Sequence, residues 1–246
     1  MNYADTNTNT YQPWGQIAAH AEVDERVDFI RRTYVHLLAA ILAFAGLEAV
    51  LLQTPLGGQM INTIFGAGRF GGILFVGAFC LVSWVANSWA QNSTSKGMQY
   101  AGLSLYVVAE AFFFLPVLYY ADSKVFEGQH IIESAGTVTI LIFAGLTAIV
   151  FLTKKDFSFL GGILMLGGLA AFGLAICSMI FGFHLGIAYT IGMITLACGY
   201  ILYDTSNVLH KYRIGQHVAA ALALFASVAL LFYYVLRLFM DRSSSR

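Results

Sequence analysis

Long apolar runs constrain this chain more than any other feature of its sequence. Each run approaches the roughly 20 residues that an α-helix needs to cross the hydrocarbon core of a bilayer. Backbone groups inside lipid must be hydrogen-bonded within the protein, and a helix achieves this in a single segment. The runs predict seven membrane-spanning helices, at residues 33–52, 71–90, 98–120, 131–152, 157–183, 185–203 and 218–240.

The break between the fifth and sixth runs depends on a short interruption. His184, with Gly182 and Gly186 beside it, is the sole polar residue there, and we expect a tight turn.

The composition supports an all-α integral membrane protein that is surrounded by the lipid bilayer. Of the 246 residues, 59% are hydrophobic and 11% are charged, whereas about 25% are charged in ordinary soluble domains. The formal net charge is zero, so nothing indicates a nucleic-acid partner. Cys80, Cys177 and Cys198 lie inside apolar runs without the spacing of a metal site. We therefore expect neither a metal nor a cofactor.

Three segments are predicted along the chain. Residues 1–25 are rich in Asn, Thr, Ala and Gln, have no periodicity, and are expected to form a mobile polar tail. Residues 26–241 are expected to form the seven-helix domain, and residues 242–246 a short C-terminal tail.

The positive charges predict a cytoplasmic N-terminus and an outer C-terminus. In that orientation the outer loops carry Arg69 and Lys124, while Arg237, Arg242 and Arg246 fall on the outer side and weaken the bias. The inner segments carry Arg26, Arg31, Arg32, Lys96, Lys154, Lys155, Lys211 and Arg213.

Small residues predict which helices pack closely, because small side chains let helix backbones approach in a membrane. The seventh run has Ala219, Ala223 and Ala226 on one face, so we place it in the centre of the bundle. The sixth run has a small-residue stripe that predicts a partner helix on that face. The stripe consists of Ala188, Gly192, Thr195 and Gly199. The fifth run is also expected to pack tightly, through Gly161, Gly162, Gly167, Gly168 and Gly173.

Asp204 is the leading candidate for a functional residue. It follows the sixth apolar run directly, and an ionisable group at such a boundary is a functional candidate. We expect it at the packed junction of the sixth and seventh helices, hydrogen-bonded by neighbouring polar groups. The flanking groups that can bond it are Tyr203, Thr205, Ser206 and Asn207.

Four further ionisable side chains lie in or at the ends of the apolar runs: Glu48, Glu110, Glu133 and Arg237. A charge at the bilayer centre costs roughly 2.5 to 3.5 kcal/mol on insertion scales, so each should face the interior or an interface. These charges have a purely structural explanation if Arg237 forms a salt bridge with one of the glutamates. Glu110 fits this explanation least, because it lies deepest in the membrane.

Several membrane enzyme and receptor classes are disfavoured. Intramembrane aspartyl proteolysis needs a second aspartate close to Asp204, and a retinal protein needs a lysine in the last run. There is no HExxH and no GxSxG pattern. We therefore expect a protein that is not an enzyme.

Three stretches resemble one family in order and spacing. They are GYILYDTSNVLH at residues 199–210, TKKDFSFLGG at 153–162 and DFIRRTY at 28–34. Together they resemble the Bax inhibitor-1 family, also called the transmembrane Bax inhibitor motif family, in a bacterial form. The resemblance implies a seventh helix wrapped by the first six, location in the bacterial inner membrane, and a pH-sensitive calcium leak linked to ion homeostasis and stress response.

The resemblance also implies a pH sensor made of two aspartates, one from each of the last two helices. Asp204 matches the first aspartate, whereas alignment on Arg237 brings Ser227 to the second position. A serine cannot share a proton as a carboxylate does, so coupled titration is not expected here. Another branch of the family implies the alternative function, a non-transporting adaptor that binds and modulates a membrane ATP-dependent protease or another stress-response partner.

Overall fold

The computed structural model describes residues 14–123 and 130–243, which contain eight α-helices. Seven of these helices, all except α2, are long and apolar enough to cross a membrane, which confirms the predicted number of spans. Lys124 and residues 244–246 lie outside the described residues. The helices are α1 Val23–Leu51, α2 Leu56–Gly66, α3 Arg69–Ala90, α4 Lys96–Ala121, α5 Ile131–Thr153, α6 Leu160–Phe181, α7 Ile187–His210 and α8 His217–Ser243.

The last helix, α8, is the centre of the bundle, as the alanine pattern predicted. In its most apolar stretch 72% of the residues are buried, against 6% to 50% in the other six spans. Ala219, Ala220 and Ala221 are buried together near its start. Their small side chains let α1, α4, α5 and α7 pack around α8.

The turn between α6 and α7 lies where the single polar interruption placed it. Gly182 ends α6 in the left-handed conformation with φ of 74°, which glycine adopts without a Cβ clash. α7 then begins at Ile187.

The helix α2 was not predicted, because residues 53–70 were interpreted as an outer loop. A Cβ on Gly57 would lie 2.6 Å from the Tyr119 ring, so α2 packs closely on the end of α4. Its eleven residues are too few to cross a bilayer, which is why a search for spans does not find it.

The small-residue stripe on α7 does not face a partner helix over most of its length. Ala188, Gly192 and Thr195 are exposed, and a Cβ on Gly192 would meet nothing within 4 Å. Gly199 alone of the four has a close neighbour, Leu164 of α6. The prediction was wrong because glycine is common in membrane helices even where they face lipid.

The glycine-rich helix α6 is likewise the least buried span, with 6% of its apolar stretch buried. Gly161, Gly167 and Gly168 lie close to side chains of α7, but Gly162 and Gly173 face open space. Tight packing is therefore limited to the α7 side of this helix.

Part of the predicted N-terminal tail lies against the bundle. Within residues 14–22, the Ala18 N–H donates to the Tyr212 carbonyl at 2.9 Å, and the Ile214 N–H donates to the Gln16 carbonyl at 2.9 Å. These bonds join the segment to the loop between α7 and α8. They lie at the N-terminal face, by which we mean the end of the bundle where α1 begins.

Candidate functional site

Asp204 lies inside α7 rather than after it. The apolar run ends at residue 203, but the helix continues to His210. Asp204 is 9% exposed, and the residues that follow it, from Thr205 to Val208, are all buried. Burial of polar side chains there arises because α8, the N-terminal segment and the loop after α5 all cover this part of α7.

Ser227 of α8 is the partner of Asp204. Its Oγ donates a short hydrogen bond of 2.5 Å to Oδ2 of Asp204, and Ser227 is 5% exposed. Asp204 therefore lies at the junction of the last two helices, as predicted, with Ser227 opposite it. The contact holds one titratable group and one neutral donor, so it can lose or gain a single proton.

The flanking polar side chains do not bond Asp204, contrary to the prediction. Tyr203 packs against Gly161 of α6, and the Lys211 ammonium lies 6.0 Å from its ring centroid. Side chains at neighbouring helix positions diverge by about 100°, so most of them point to other helices.

Ser206 instead joins α7 to the loop between α5 and α6. The Phe157 N–H donates to Ser206 Oγ at 2.8 Å, and this Oγ donates to Oδ1 of Asp156 at 3.3 Å. Nδ1 of His210 donates to the Ser206 carbonyl at 3.0 Å. These contacts link the two segments that carry the family-like motifs, near Asp204.

The charge on Asp156 is stabilised by its own loop. Hydrogen bonds from Ser158, first from its N–H, lower the pKa of the Asp156 carboxyl below its usual range. Because the pKa of Asp156 is lower in the folded protein than in the unfolded chain, the ionised carboxylate stabilises the fold at pH values above the unfolded pKa. This stabilisation is lost as the pH falls through the folded pKa. Asp156 is well exposed, so solvent keeps the contribution small.

Removing the Ser206 hydroxyl should destabilise the protein. In Ser206→Ala the Phe157 N–H and the Asp156 carboxylate lose a common partner at a buried position, which should cost about 1 to 3 kcal/mol. The measurement is the free energy of unfolding in mild detergent. Thr195→Val is the matched control, because Thr195 is exposed on the same helix and bonds the carbonyl of Ile191 one turn earlier. Equal stability of the two variants would contradict the assigned link.

Tyr212 closes the N-terminal face beside Asp204. Its N–H donates to the Asn207 carbonyl at 2.9 Å, and its own carbonyl accepts from Ala18. Burial, followed by the charge of Asp204, raises the pKa of the Tyr212 hydroxyl, so this group stays neutral.

Further buried oxygens surround this part of α7. The hydroxyl of Tyr34 from α1 lies next to those of Thr147 from α5 and Thr205 from α7. These three hydroxyls are close enough to interact with one another, whereas Oδ1 of Asn207 is buried without a hydrogen-bond partner among the described residues. Neutral oxygen atoms of this kind are ligands that water and hard cations accept.

The other intramembrane charges lie apart from this group. The Glu48 side chain is 4% exposed, and both carboxylate oxygens are buried without a partner among the described residues. Glu110 is buried in the middle of α4 beside Tyr106. Glu133 is exposed in the first turn of α5, where its carboxylate lies 3.6 Å from His130.

The predicted salt bridge to Arg237 is not formed between the described residues. The Arg237 guanidinium donates instead to the carbonyl of Leu185 at 3.2 Å, just before α7. Among the described residues, neither Glu48 nor Glu110 forms an ion pair with a cation of α8.

The chain is similar in sequence to known membrane-protein relatives of one family. A family model described as "Inhibitor of apoptosis-promoting Bax1" matches residues 26–244. A Pseudomonas aeruginosa protein described as uncharacterized is 32% identical over 90% of this chain and 93% of its own length. Bax inhibitor 1 of Schizosaccharomyces pombe is 35% identical over 46% of this chain and 43% of its own length. The Golgi anti-apoptotic protein of vaccinia virus strain Lister is 27% identical over 92% of this chain and 90% of its own length.

Proposed function

The chain belongs to the Bax inhibitor-1 family of membrane proteins, and we propose that it is a pH-sensitive cation leak channel that passes calcium, with Asp204 as its sensor and gate. The site lies in the bacterial inner membrane, with the N-terminal face toward the cytoplasm. No covalent chemistry is involved, so the protein is not an enzyme.

The observation that carries this proposal is the buried pair of Asp204 and Ser227 between α7 and the central helix. Taking a carboxylate out of water is costly, and a single neutral donor offsets this cost incompletely. The ionised form attracts a cation, and protonation removes that charge at the contact between two spans. Binding or release of one proton therefore changes the electrostatic field at the N-terminal face. It also changes the hydrogen bond between Asp204 and Ser227 that joins α7 to α8.

The neutral oxygen atoms near Asp204 on α7 and its neighbouring helices are ligands that a hard cation accepts. The hydroxyls of Tyr34, Thr147 and Thr205 and the amide oxygen of Asn207 can replace part of a hydration shell. Each of these atoms is an oxygen, as calcium prefers.

The orientation rests on the distribution of positive charge. The N-terminal face carries Arg31, Arg32, Lys96 and Lys155, which favours the cytoplasmic side by the positive-inside rule.

Purified protein in liposomes should allow calcium to enter faster than protein-free liposomes do. The measurement uses a calcium-sensitive dye inside the liposomes and a calcium step outside, repeated over a range of pH. We expect a rate that depends on pH, because one buried carboxylate titrates. Absence of calcium entry at every pH, together with co-purification of a membrane ATP-dependent protease, would favour the adaptor function instead.

A further inference from the structure

A second cluster of charged groups lies at the N-terminal face, on the side of α8 where α1 and α4 begin. The His36 and His217 rings, from α1 and α8, have centroids 5.0 Å apart. Nε2 of His36 lies 3.3 Å from the Tyr100 hydroxyl of α4. Three helices therefore contribute to one cluster, which we call the His36 cluster.

The hydrogen bonds determine which nitrogen of His36 carries the proton. Its Nδ1 lies 2.7 Å from the Arg32 carbonyl, which can only accept, so Nδ1 is the donor. In the neutral ring Nε2 then accepts from Tyr100. Protonation turns Nε2 into a second donor, available to an anion at this position.

The cluster contains more positive charge than its carboxylates balance. His217 interacts electrostatically with His36, Arg32 and Lys96, and with one carboxylate, Asp28. Asp28 already bonds two guanidiniums, Arg31 at 3.1 Å and Arg32 at 2.7 Å.

Other carboxylates of α1 are further away, and Lys96 has none beside it. Asp24 and Glu25 lie in the first turn of α1, about three turns before His36. Among the described residues no ion pair involves Lys96. Protonation of the two adjacent imidazoles would be opposed by repulsion between their charges unless an anion bound next to them.

Apolar side chains are also exposed at this end of α1 and α4. Val35 and Leu38 of α1 are 58% and 56% exposed, and Met98 of α4 is 38% exposed. Tyr100 is 43% exposed and has the amphipathic ring typical of a membrane interface. Cationic groups at the end of the helices and apolar side chains deeper in the bilayer match the two parts of a phospholipid.

We propose that the His36 cluster binds the phosphate of an acidic phospholipid in the adjacent leaflet. Arg32 and Lys96 supply fixed positive charge, and Tyr100 donates or accepts a hydrogen bond. The His36 and His217 rings lie beside these charges and can donate hydrogen bonds to the phosphate. The site is separate from Asp204, and binding does not depend on whether the protein conducts.

Native mass spectrometry of the full chain in detergent tests the proposal. Phosphatidylglycerol should be retained in preference to phosphatidylcholine, and inorganic phosphate at equal concentration should not displace it. Arg32→Gln and Lys96→Gln should each lower lipid retention about fivefold, because each basic residue near an anionic headgroup strengthens lipid binding by roughly this factor. Lys155→Gln is the matched control, since Lys155 is an exposed lysine of the same face in the loop after α5.

Equal retention of the two lipids, displacement by phosphate, or an effect of Lys155→Gln as large as that of Lys96→Gln would overturn the proposal.

Discussion

Calcium flux through the Asp204→Asn variant is expected to be nearly independent of pH. Asparagine has the shape of aspartate, and its Oδ1 can still accept the hydrogen bond from Ser227. The variant lacks the titrating group and corresponds to the uncharged state of the site. At every pH its flux should therefore equal that of the native chain at the most acidic pH, measured in the same liposome assay.

Glu133→Gln is the matched control for this experiment. It also removes one carboxylate from a span, but Glu133 is exposed at the far end of α5. Its pH profile should be that of the native chain. A pH-dependent flux that persists in Asp204→Asn would show that the sensor lies elsewhere, and Glu110, buried in the middle of α4, would then be the next residue to change.

Ser227→Asp extends the same test. Because Ser227 Oγ already lies 2.5 Å from Asp204, an aspartate at this position would place two carboxylates in contact. Two coupled acids titrate in two macroscopic steps, so the pH profile should broaden. An unbroadened profile would indicate that the second carboxylate turns away from Asp204.

A large loss of stability is expected for Gly102→Ala in α4. A Cβ at this position would lie 2.5 Å from both the Ala86 carbonyl oxygen and the Ala90 nitrogen of α3. Backbone atoms cannot rotate away as a side chain can, so α3 and α4 would have to separate. The expected cost is about 3 kcal/mol, at the upper end for overpacking, measured as the free energy of unfolding in detergent.

Gly77→Ala provides the control for this substitution. Gly77 lies in α3, and a Cβ there would meet nothing within 4 Å. Alanine favours a helix over glycine by roughly 0.5 to 1 kcal/mol, so this variant should be unchanged or slightly more stable. Comparable destabilisation of both variants would contradict the close approach of α3 and α4 at Gly102.

The sequence was sufficient for the features that depend on local composition. Runs of apolar residues predicted the seven spans, and the polar interruption at His184 predicted the turn before α7. The alanines near the start of α8 predicted its central position. Asp204 could be selected as a candidate because a carboxylate next to a long apolar run is rare.

The tertiary structure decided the partners of these residues. Hydrophobic periodicity does not separate inside from outside when the solvent is lipid, so the small-residue stripe of α7 was placed facing a helix although it is exposed. Ser206 could not be linked to the loop containing Asp156 from the sequence, because the contact joins residues far apart in the chain. The same holds for the N-terminal segment, whose pairing with the loop at Tyr212 involves backbone groups that every residue carries.

The contact between Asp204 and Ser227 depends on both the local sequence and the tertiary structure. Local sequence identified Asp204, and a resemblance between whole helices suggested Ser227, but the flanking side chains were the expected hydrogen-bond partners. The packing of α7 on α8 decided otherwise, because it turns Asp204 toward the central helix and directs its neighbours to α1, α5 and α6. Which side chains meet is set by the rotation of each helix about its axis, and in lipid that rotation is determined by contacts between helices rather than by apolar periodicity.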